Sequence, residues 1–455
     1  MSTFKVGYAS VNINPPLGIS VAGYFVPRYA AGFLDDLEVG AMVLALGRKK
    51  VALVSVDNCS IPTPIMKTFM AQAAKATGLP VNNIVIGSTH THTGGCITVP
   101  SFPSDKEMIE KYKNFMGERI CDAINLALKD LKPAKMGYIV GHAPERVAYI
   151  RRYKMKDGTT MTCPPVNDPN IDHPIGTLDQ RVNVLRFDRE GGETVVLVNY
   201  GVHADTINHD VLSSDWPGWM RRTLDAALGG VKCLYFPGAQ GDVGSTNVHV
   251  QPGDGDMNDT EISFDNEMKS PGMARFVGRA LAGTVLQVYD KVQYVNVDSL
   301  DVIKKDLEIP ANVPDPKDLP RAHQYKEWHD NGRDDLIPYE AMELTTVVAE
   351  ALRMCRLENG PENFLMQLTG VKIGNVAMVG IPGEPFTDIG VGIKDTEGWD
   401  LIMPCALTGG AHGYFPMMSA YEEGGYEARS SNFKAGVAER IIKGGKELLA
   451  EMKNK

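Results

Sequence analysis

Long hydrophobic runs are missing from this chain. No stretch approaches the roughly 18 to 20 consecutive apolar residues that a membrane-spanning helix needs, so no integral membrane segment is expected. The opening MSTFKVGYASVNINPPLG lacks the basic start, apolar stretch and small-residue cleavage site of a secretory signal, which makes the cytoplasm the expected compartment. CxxC spacings are absent, and the seven cysteines, odd in number and scattered from Cys59 to Cys405, argue against a disulfide framework or a zinc ribbon. Reduced, core-type thiols are expected instead. Positive charge is in deficit: 46 Lys and Arg stand against 56 Asp and Glu, a net charge of −10, so no basic stripe is available to neutralise a phosphate backbone. Nucleic acid is therefore not an expected partner, and an anionic membrane surface is disfavoured for the same reason. Heptads and internal repeats of roughly 20 to 50 residues are lacking as well, which removes coiled coils and solenoids. What remains is 455 residues, 43% hydrophobic, with 46 Gly and 28 Pro, the balance of a turn-rich globular protein.

Short β-branched runs alternate with longer helical patterns. KKVALVSV precedes the helix-like IMKTFMAQAAKATG, NNIVIGS precedes an amphipathic stretch over 107–131, and ETVVLVNY, KCLYFPG, VAMVGIPG and LIMPCALTGG continue the order. Further helices are expected at 217–228, 272–289, 340–357 and 431–452. The alternation predicts an α/β fold, a layered mixed β-sheet core flanked by helices. We expect one large domain over 1–455, with a helical insertion at about 305–360. The acidic stretch 251–270 reads as a solvated loop with a candidate role as a lid.

Nearly every apolar strand runs straight into polar residues at its C-terminal end. NNIVIGS leads into Thr89-His90-Thr91-His92-Thr93-Gly94-Gly95, VVLVNYG into His203 and Asp205, and KCLYFPG into Gln240-Gly241-Asp242. VAMVGIPG leads into Glu384 and LIMPCALTGG into His412-Gly413-Tyr414. Layered α/β proteins build their sites where loops converge at the carboxyl ends of strands, so these clusters predict one rim site there. In an extended segment His90 and His92 project to the same side and address one metal or one substrate. His90 together with His203, Glu384 and Tyr414 forms a thiol-free nitrogen and oxygen donor set at strand ends, which suits zinc and leaves iron or manganese open. His209 is either a supporting residue or a plain loop residue; His142, His173, His249, His323 and His329 are expected to be structural or solvated, and Cys96 a buried inert thiol.

These residues resemble the catalytic domain of the neutral/alkaline non-lysosomal ceramidases, zinc enzymes that hydrolyse an N-acyl amide bond. The likeness lies in ordered motifs: Gly7–Pro16 followed by Ala22-Gly23-Tyr24, then Ser88–Gly94, Asn199–His203, Gly241-Asp242-Val243, Gly383-Glu384 with Thr387, and Tyr414 with Tyr421–Glu423 and Tyr426-Glu427. The resemblance implies that His90, His203, Glu384 and Tyr414 bind one Zn²⁺ per chain. It also implies that His92, Arg151 and Tyr426 lie around the scissile carbonyl, with Arg152 as an alternative to Arg151. Where the family has GDVSPN, this chain has Gly241-Asp242-Val243-Gly244-Ser245-Thr246-Asn247, which leaves the role of Ser245 open. With so few residues after Tyr426, a C-terminal β-sandwich of the kind ceramidases append is not expected. The expected activity is hydrolysis of a small N-acyl amide by a metal-activated water. Two alternatives stand beside it: a metal-dependent esterase, lactonase or two-metal phosphoesterase using Asp205, Asp215 or Asp242, and a non-catalytic ligand-binding protein.

Overall fold

The computed structural model describes residues 3–100, 102–250 and 269–454. Eight strands form the path of the larger sheet: β1 (Phe4–Asn12), β2 (Glu38–Leu46), β3 (Lys49–Val56), β4 (Ile84–Ser88), β5 (Lys132–His142), β6 (Arg181–Arg189), β7 (Val195–Tyr200) and β8 (Lys232–Pro237). Their order is β8-β7-β6-β5-β1-β2-β3-β4, with Gln293–Val295 added alongside β5. The outer pairs β7/β8 and β3/β4 are parallel, while the inner pairs are antiparallel. A second sheet, β9 (Leu300–Pro310), β10 (Asn363–Ile373), β11 (Val376–Gly380) and β12 (Leu401–Cys405), ends in the parallel pair β11/β12.

Side chains alternate faces along each strand. In β2, Met42 and Leu44 enter an apolar layer shared with Leu197, Val371, Met378 and Met403, so the two sheets pack face to face. Val39, Ala41 and Val43 point the other way, onto α1 (Thr63–Thr77) and α2 (Lys106–Lys129), where they meet Met66, Phe69, Ile120 and Ile124. Val196 and Val198 of β7 do the same against Trp216 and Met220 of α3 (Asp215–Ala227) and Val277 and Leu281 of α4 (Pro271–Val288).

The connection between β9 and β10 carries α5 (Leu319–Asp330) and α6 (Ala341–Leu357), although the two strands pair in unbroken register from Leu300 opposite Ile373 to Pro310 opposite Asn363. On the far face of the second sheet, Ala377, Val379 and Ile402 pack on Ile393 of α7 (Thr387–Lys394). Beyond the short helices α8 (Met418–Glu423) and α9 (Tyr426–Ser430), α10 (Val437–Lys453) adds Ile441, Leu448 and Leu449 to that face.

The result is four layers, helices on sheet on sheet on helices. The expected α/β layering is present, and the core holds two mixed sheets. A strand buried on both faces reads as a continuous apolar run, and such a run carries no mark of which sheet it joins.

Parallel strands bring their C-terminal loops to one edge, where the backbone ties them together. Ser88 donates its amide to Leu407 (3.2 Å), Ala406 to Pro237 (2.8 Å), and Gly241 to Pro385 (2.8 Å). Asn199, at the end of β7, donates its side-chain amide to Phe236 and across the sheets to Pro404, at 3.0 and 2.9 Å. The acidic stretch read as a candidate lid falls, over 251–268, outside the described residues. Among the described residues no helix is long and apolar enough to cross a membrane, and all seven cysteines are free thiols.

Candidate metal centre

Three donors from three strand ends meet at this edge. His90 follows β4, His203 follows β7 and Glu384 follows β11, and their ligand atoms all lie within 4.8 Å of one another in a buried setting. Glu384 Oε2 is 3.3 Å from His90 Nε2 and 3.2 Å from His203 Nε2. Each imidazole is oriented by its other nitrogen: His90 Nδ1 donates to the Cys59 carbonyl (2.7 Å), and His203 Nδ1 to the Val243 carbonyl (2.8 Å). Such hydrogen bonds fix the tautomer of a ligating histidine and leave the Nε2 lone pair facing the centre.

Two lone pairs and a carboxylate oxygen thus converge, and Glu384 Oε2 is buried without a hydrogen bond. An arrangement of acceptors alone is repulsive, so it needs positive charge at its middle. Burial works against charge on His90, but Glu384 outweighs it and raises the imidazole well above its usual range. Burial likewise opposes the Glu384 charge, yet His90 and His203 hold the carboxyl well below its usual range. His203 is pushed down to about 4 by burial, with Arg151 adding to the effect, so it stays neutral and ligand-ready. A proton or a metal cation satisfies the trio, and the donor set fits a cation of the zinc type.

The His90-Thr91-His92 segment differs from the expected extended geometry. His90 has φ 69°, in the left-handed region, and this kink, rather than strand alternation, aims both rings inward. Their centroids are 4.7 Å apart and nearly perpendicular, and the two Nε2 atoms are 3.2 Å apart. The kink is held by hydrogen bonds from the His90 amide to the Asn58 carbonyl (3.0 Å), from the His92 amide to the Ala204 carbonyl (3.0 Å), and from the Thr91 and Thr93 hydroxyls to the Ser213 carbonyl (2.7 and 2.9 Å).

On the His203 side, Tyr414 pairs in register with Glu384 through a short parallel ribbon. Arg151 Nη1 is 3.2 Å from His203 Nε2, and its guanidinium lies 5.2 Å from the centre of the Tyr414 ring. Buried Glu427 accepts from Arg151 Nε and from the Thr162 hydroxyl, both at 2.7 Å, which fixes the start of α9 and with it Tyr426. Helix α6 braces α9 from behind, through Arg429 paired with Glu343 and Glu350 at 2.6 and 2.7 Å. The Tyr426 ring meets Tyr414 edge-on at 5.5 Å, and burial together with the Glu384 charge pushes its phenol up. Arg152 is turned away, as alternation requires: it donates to Glu423 and to the Gly424 carbonyl, both at 3.0 Å, and stacks on Phe386.

A second group surrounds His92; its Asp205 and Tyr24 stood in sequence motifs, but nothing there joined them to one another or to Lys269. His92 Nδ1 is 3.7 Å from Asp205 Oδ1. Asp205 accepts from the Tyr24 hydroxyl and from Lys269 Nζ (2.9 Å), and Lys269 also donates to Tyr24 (2.7 Å). Burial opposes ionisation of Asp205, but Lys269 and His92 hold its carboxyl well below the usual range. Gly23, at φ 109°, leaves room for this ring: a Cβ there would stand 2.6 Å from His92 Nδ1. Asp205 faces His92 and is not among the donors close enough to share a metal ion. Asp205→Asn is therefore expected to lower kcat by about 10-fold or more while metal content stays at the wild-type level, as metal analysis beside steady-state kinetics would show.

The carboxylates considered for a second metal are committed elsewhere. Asp215 accepts from the Thr206 and Trp216 amides (3.0 and 2.6 Å), and burial pushes it up to about 7. Asp242 accepts from the Thr387 amide and hydroxyl (2.7 and 2.9 Å), which holds the Glu384 loop in place. Among the described residues the sets of donors close enough to share a metal ion are His90, His203 and Glu384, and Cys59, His90 and His92, and no aspartate joins either set. Gly241 serves the same loop by close approach, because a Cβ there would lie 2.5 Å from the Glu384 carbonyl. Ser245 is buried just after the 243–244 ribbon that pairs with 149–150, and a side chain at Gly244 would meet only ordinary contacts at 3.8 Å. His209, His142, His173, His249 and His323 are exposed, and His329 pairs with Asp334. Cys96 is buried, and burial pushes its thiol up to about 12.

Two face-to-face mixed sheets between helices, with a buried histidine and carboxylate centre at the strand ends, define a large α/β protein with a candidate mononuclear metal site. Its fold is that of neutral ceramidase. The crystal structure of neutral ceramidase from Pseudomonas aeruginosa aligns with a TM-score of 0.73 at 17% identity, over 99% of this chain and 75% of that one. A ceramidase complexed with C2 aligns with a TM-score of 0.72 at 15% identity, over 100% of this chain and 76% of that one. The ceramidase-like fold expected from the motifs is thus present. No family model and no curated protein matches the chain.

Proposed function

We propose that the chain is a zinc-dependent hydrolase that cleaves the C–N amide bond of a small N-acyl substrate, with residues 1–455 acting as one catalytic domain in the cytoplasm. The observation that carries this reading is the buried convergence of His90 Nε2, His203 Nε2 and Glu384 Oε2, with both histidines oriented through Nδ1. The names of its fold neighbours agree, since ceramide is itself an N-acyl amide. These three residues, with Tyr414 as fourth, would hold Zn²⁺, which when bound supplies a water of pKa about 7 and a Lewis acid at the carbonyl.

The remaining steps belong to side chains. Tyr426 and Arg151, beside Glu384 and His203, donate to the carbonyl oxygen as negative charge grows on it. His92 sits beside His90, with the two Nε2 atoms 3.2 Å apart. Burial keeps its pKa well below the usual imidazole range, so it is neutral at rest, able to take a proton from water and pass it to the leaving nitrogen. In the balanced reaction the water oxygen bonds to the carbonyl carbon, the C–N bond breaks, and the products are a carboxylic acid and an amine.

Metal analysis of the purified chain, followed by a panel of N-acyl amines, N-acyl amino acids, N-acyl amino sugars, lactones, ceramide and a phosphoester, tests the reading. We expect one zinc per chain and amide cleavage that a chelator removes and zinc restores. Two metals with phosphoester cleavage, or no metal and no turnover, would overturn it.

A further inference from the structure

Among the described cations around the centre, Arg28 stands apart. Lys269 is paired with Asp205 and Arg151 with Glu427, whereas no described ion pair joins Arg28 to a carboxylate. Arg28 is 6% exposed, and its guanidinium stacks 4.1 Å over the Tyr24 ring. Nη2 donates to the Ala22 and His92 carbonyls at 2.5 and 2.7 Å, while Nε and Nη1 are buried without a partner. A clamp between the 22–28 turn and the His92 loop needs only the one nitrogen that makes both bonds. Buried polar groups are almost always hydrogen-bonded, and a buried charge without a counter-charge is destabilising. Asp205 and Asp210 act on Arg28 electrostatically without a described hydrogen bond to it, and Asp205 already serves Lys269, so two cations share that carboxylate and an anion beside His92 would be favoured. The turn that holds Arg28 also reaches solvent, since Gly23 is exposed and Val26 is 54% exposed.

We propose that Arg28 binds a carboxylate on the amine fragment of the substrate, so that the chain acts on N-acyl amino acids in preference to neutral N-acyl amines. This rests on the hydrolase reading above and narrows its substrate class. The amine side rests on the role proposed for His92, whose backbone carbonyl Arg28 binds. Arg151 and Tyr426, which meet the carbonyl oxygen, stand by His203 and Glu384, whereas Arg28 holds the carbonyl of His92, the residue that protonates the leaving nitrogen. A guanidinium meets a carboxylate through charge-assisted hydrogen bonds, stronger than neutral ones.

The test uses the zinc-loaded full chain and a matched pair, N-octanoylglycine and N-octanoylglycinamide. The wild type should prefer the acid by roughly tenfold or more in kcat/KM, chiefly through KM. Arg28→Gln should bring that ratio close to unity, and Arg28→Lys should keep part of it. A wild type without preference, or an Arg28→Gln that slows both substrates equally, would reduce Arg28 to a clamp and leave the hydrolase reading intact. If neither these amides nor any amide of the panel above is cleaved, the hydrolase reading fails. Whenever this pair is not cleaved, its calorimetric binding decides for Arg28: tighter binding of the acid that is lost in Arg28→Gln supports it, and equal binding refutes it. Should Arg28→Gln fail to fold, Arg28→Lys takes its place: a preference for the acid smaller than that of the wild type supports the proposal, and an equal one refutes it.

Discussion

Glu384→Gln is expected to abolish stoichiometric zinc and to lower turnover by at least about 10²- to 10³-fold, the scale on which loss of a group that activates water or meets the oxyanion is felt. The argument is electrostatic. Among the described residues Glu384 supplies the only carboxylate close to both His90 and His203, and its Oε2 has no hydrogen-bond partner. A neutral amide keeps the shape and removes the charge that compensates a buried cation. The neighbouring loop is held by backbone and Asp242 contacts rather than by the Glu384 side chain, so the variant should fold. Metal analysis and circular dichroism on one preparation check both halves. A folded Glu384→Gln protein with full zinc content would remove the basis of the metal centre.

Tyr426→Phe is expected to behave in the opposite way: zinc retained, KM little changed, and kcat lower by about 10²-fold. The phenyl ring keeps the edge-on packing against Tyr414, and Glu427 continues to fix α9 through Arg151 and Thr162. Only the hydroxyl is lost, at the side of the site assigned to the carbonyl oxygen. Zinc loss in this variant would make Tyr426 a ligand, and an unchanged kcat would remove it from the reaction.

The contrast between Arg151 and Arg152 shows where sequence reading stops. Both were candidates by position, and adjacent residues of an extended segment face opposite ways, but which of them faces inward depends on the register of 149–150 against 243–244, a long-range pairing. The group around His92 is a stronger case. Tyr24, Asp205 and Lys269 are far apart in sequence and none is unusual in its own surroundings, yet they share hydrogen bonds. Arg28 lies in an ordinary YFVPR turn, and only its burial and its unpaired nitrogens set it apart.

The amino-acid sequence alone settled what depends on local pattern. β-branched runs specify strands, apolar periodicity specifies helices, and polar clusters after strands such as β4, β7 and β11 mark the edge where a site forms, because these signals reside in a few neighbouring residues. Tertiary structure decided the division into two sheets, the left-handed kink at His90, the inward turn of Arg151 and the isolation of Arg28. Each of these depends on which distant segments come into contact and on which groups then lose water, and neither is encoded in any short stretch of chain.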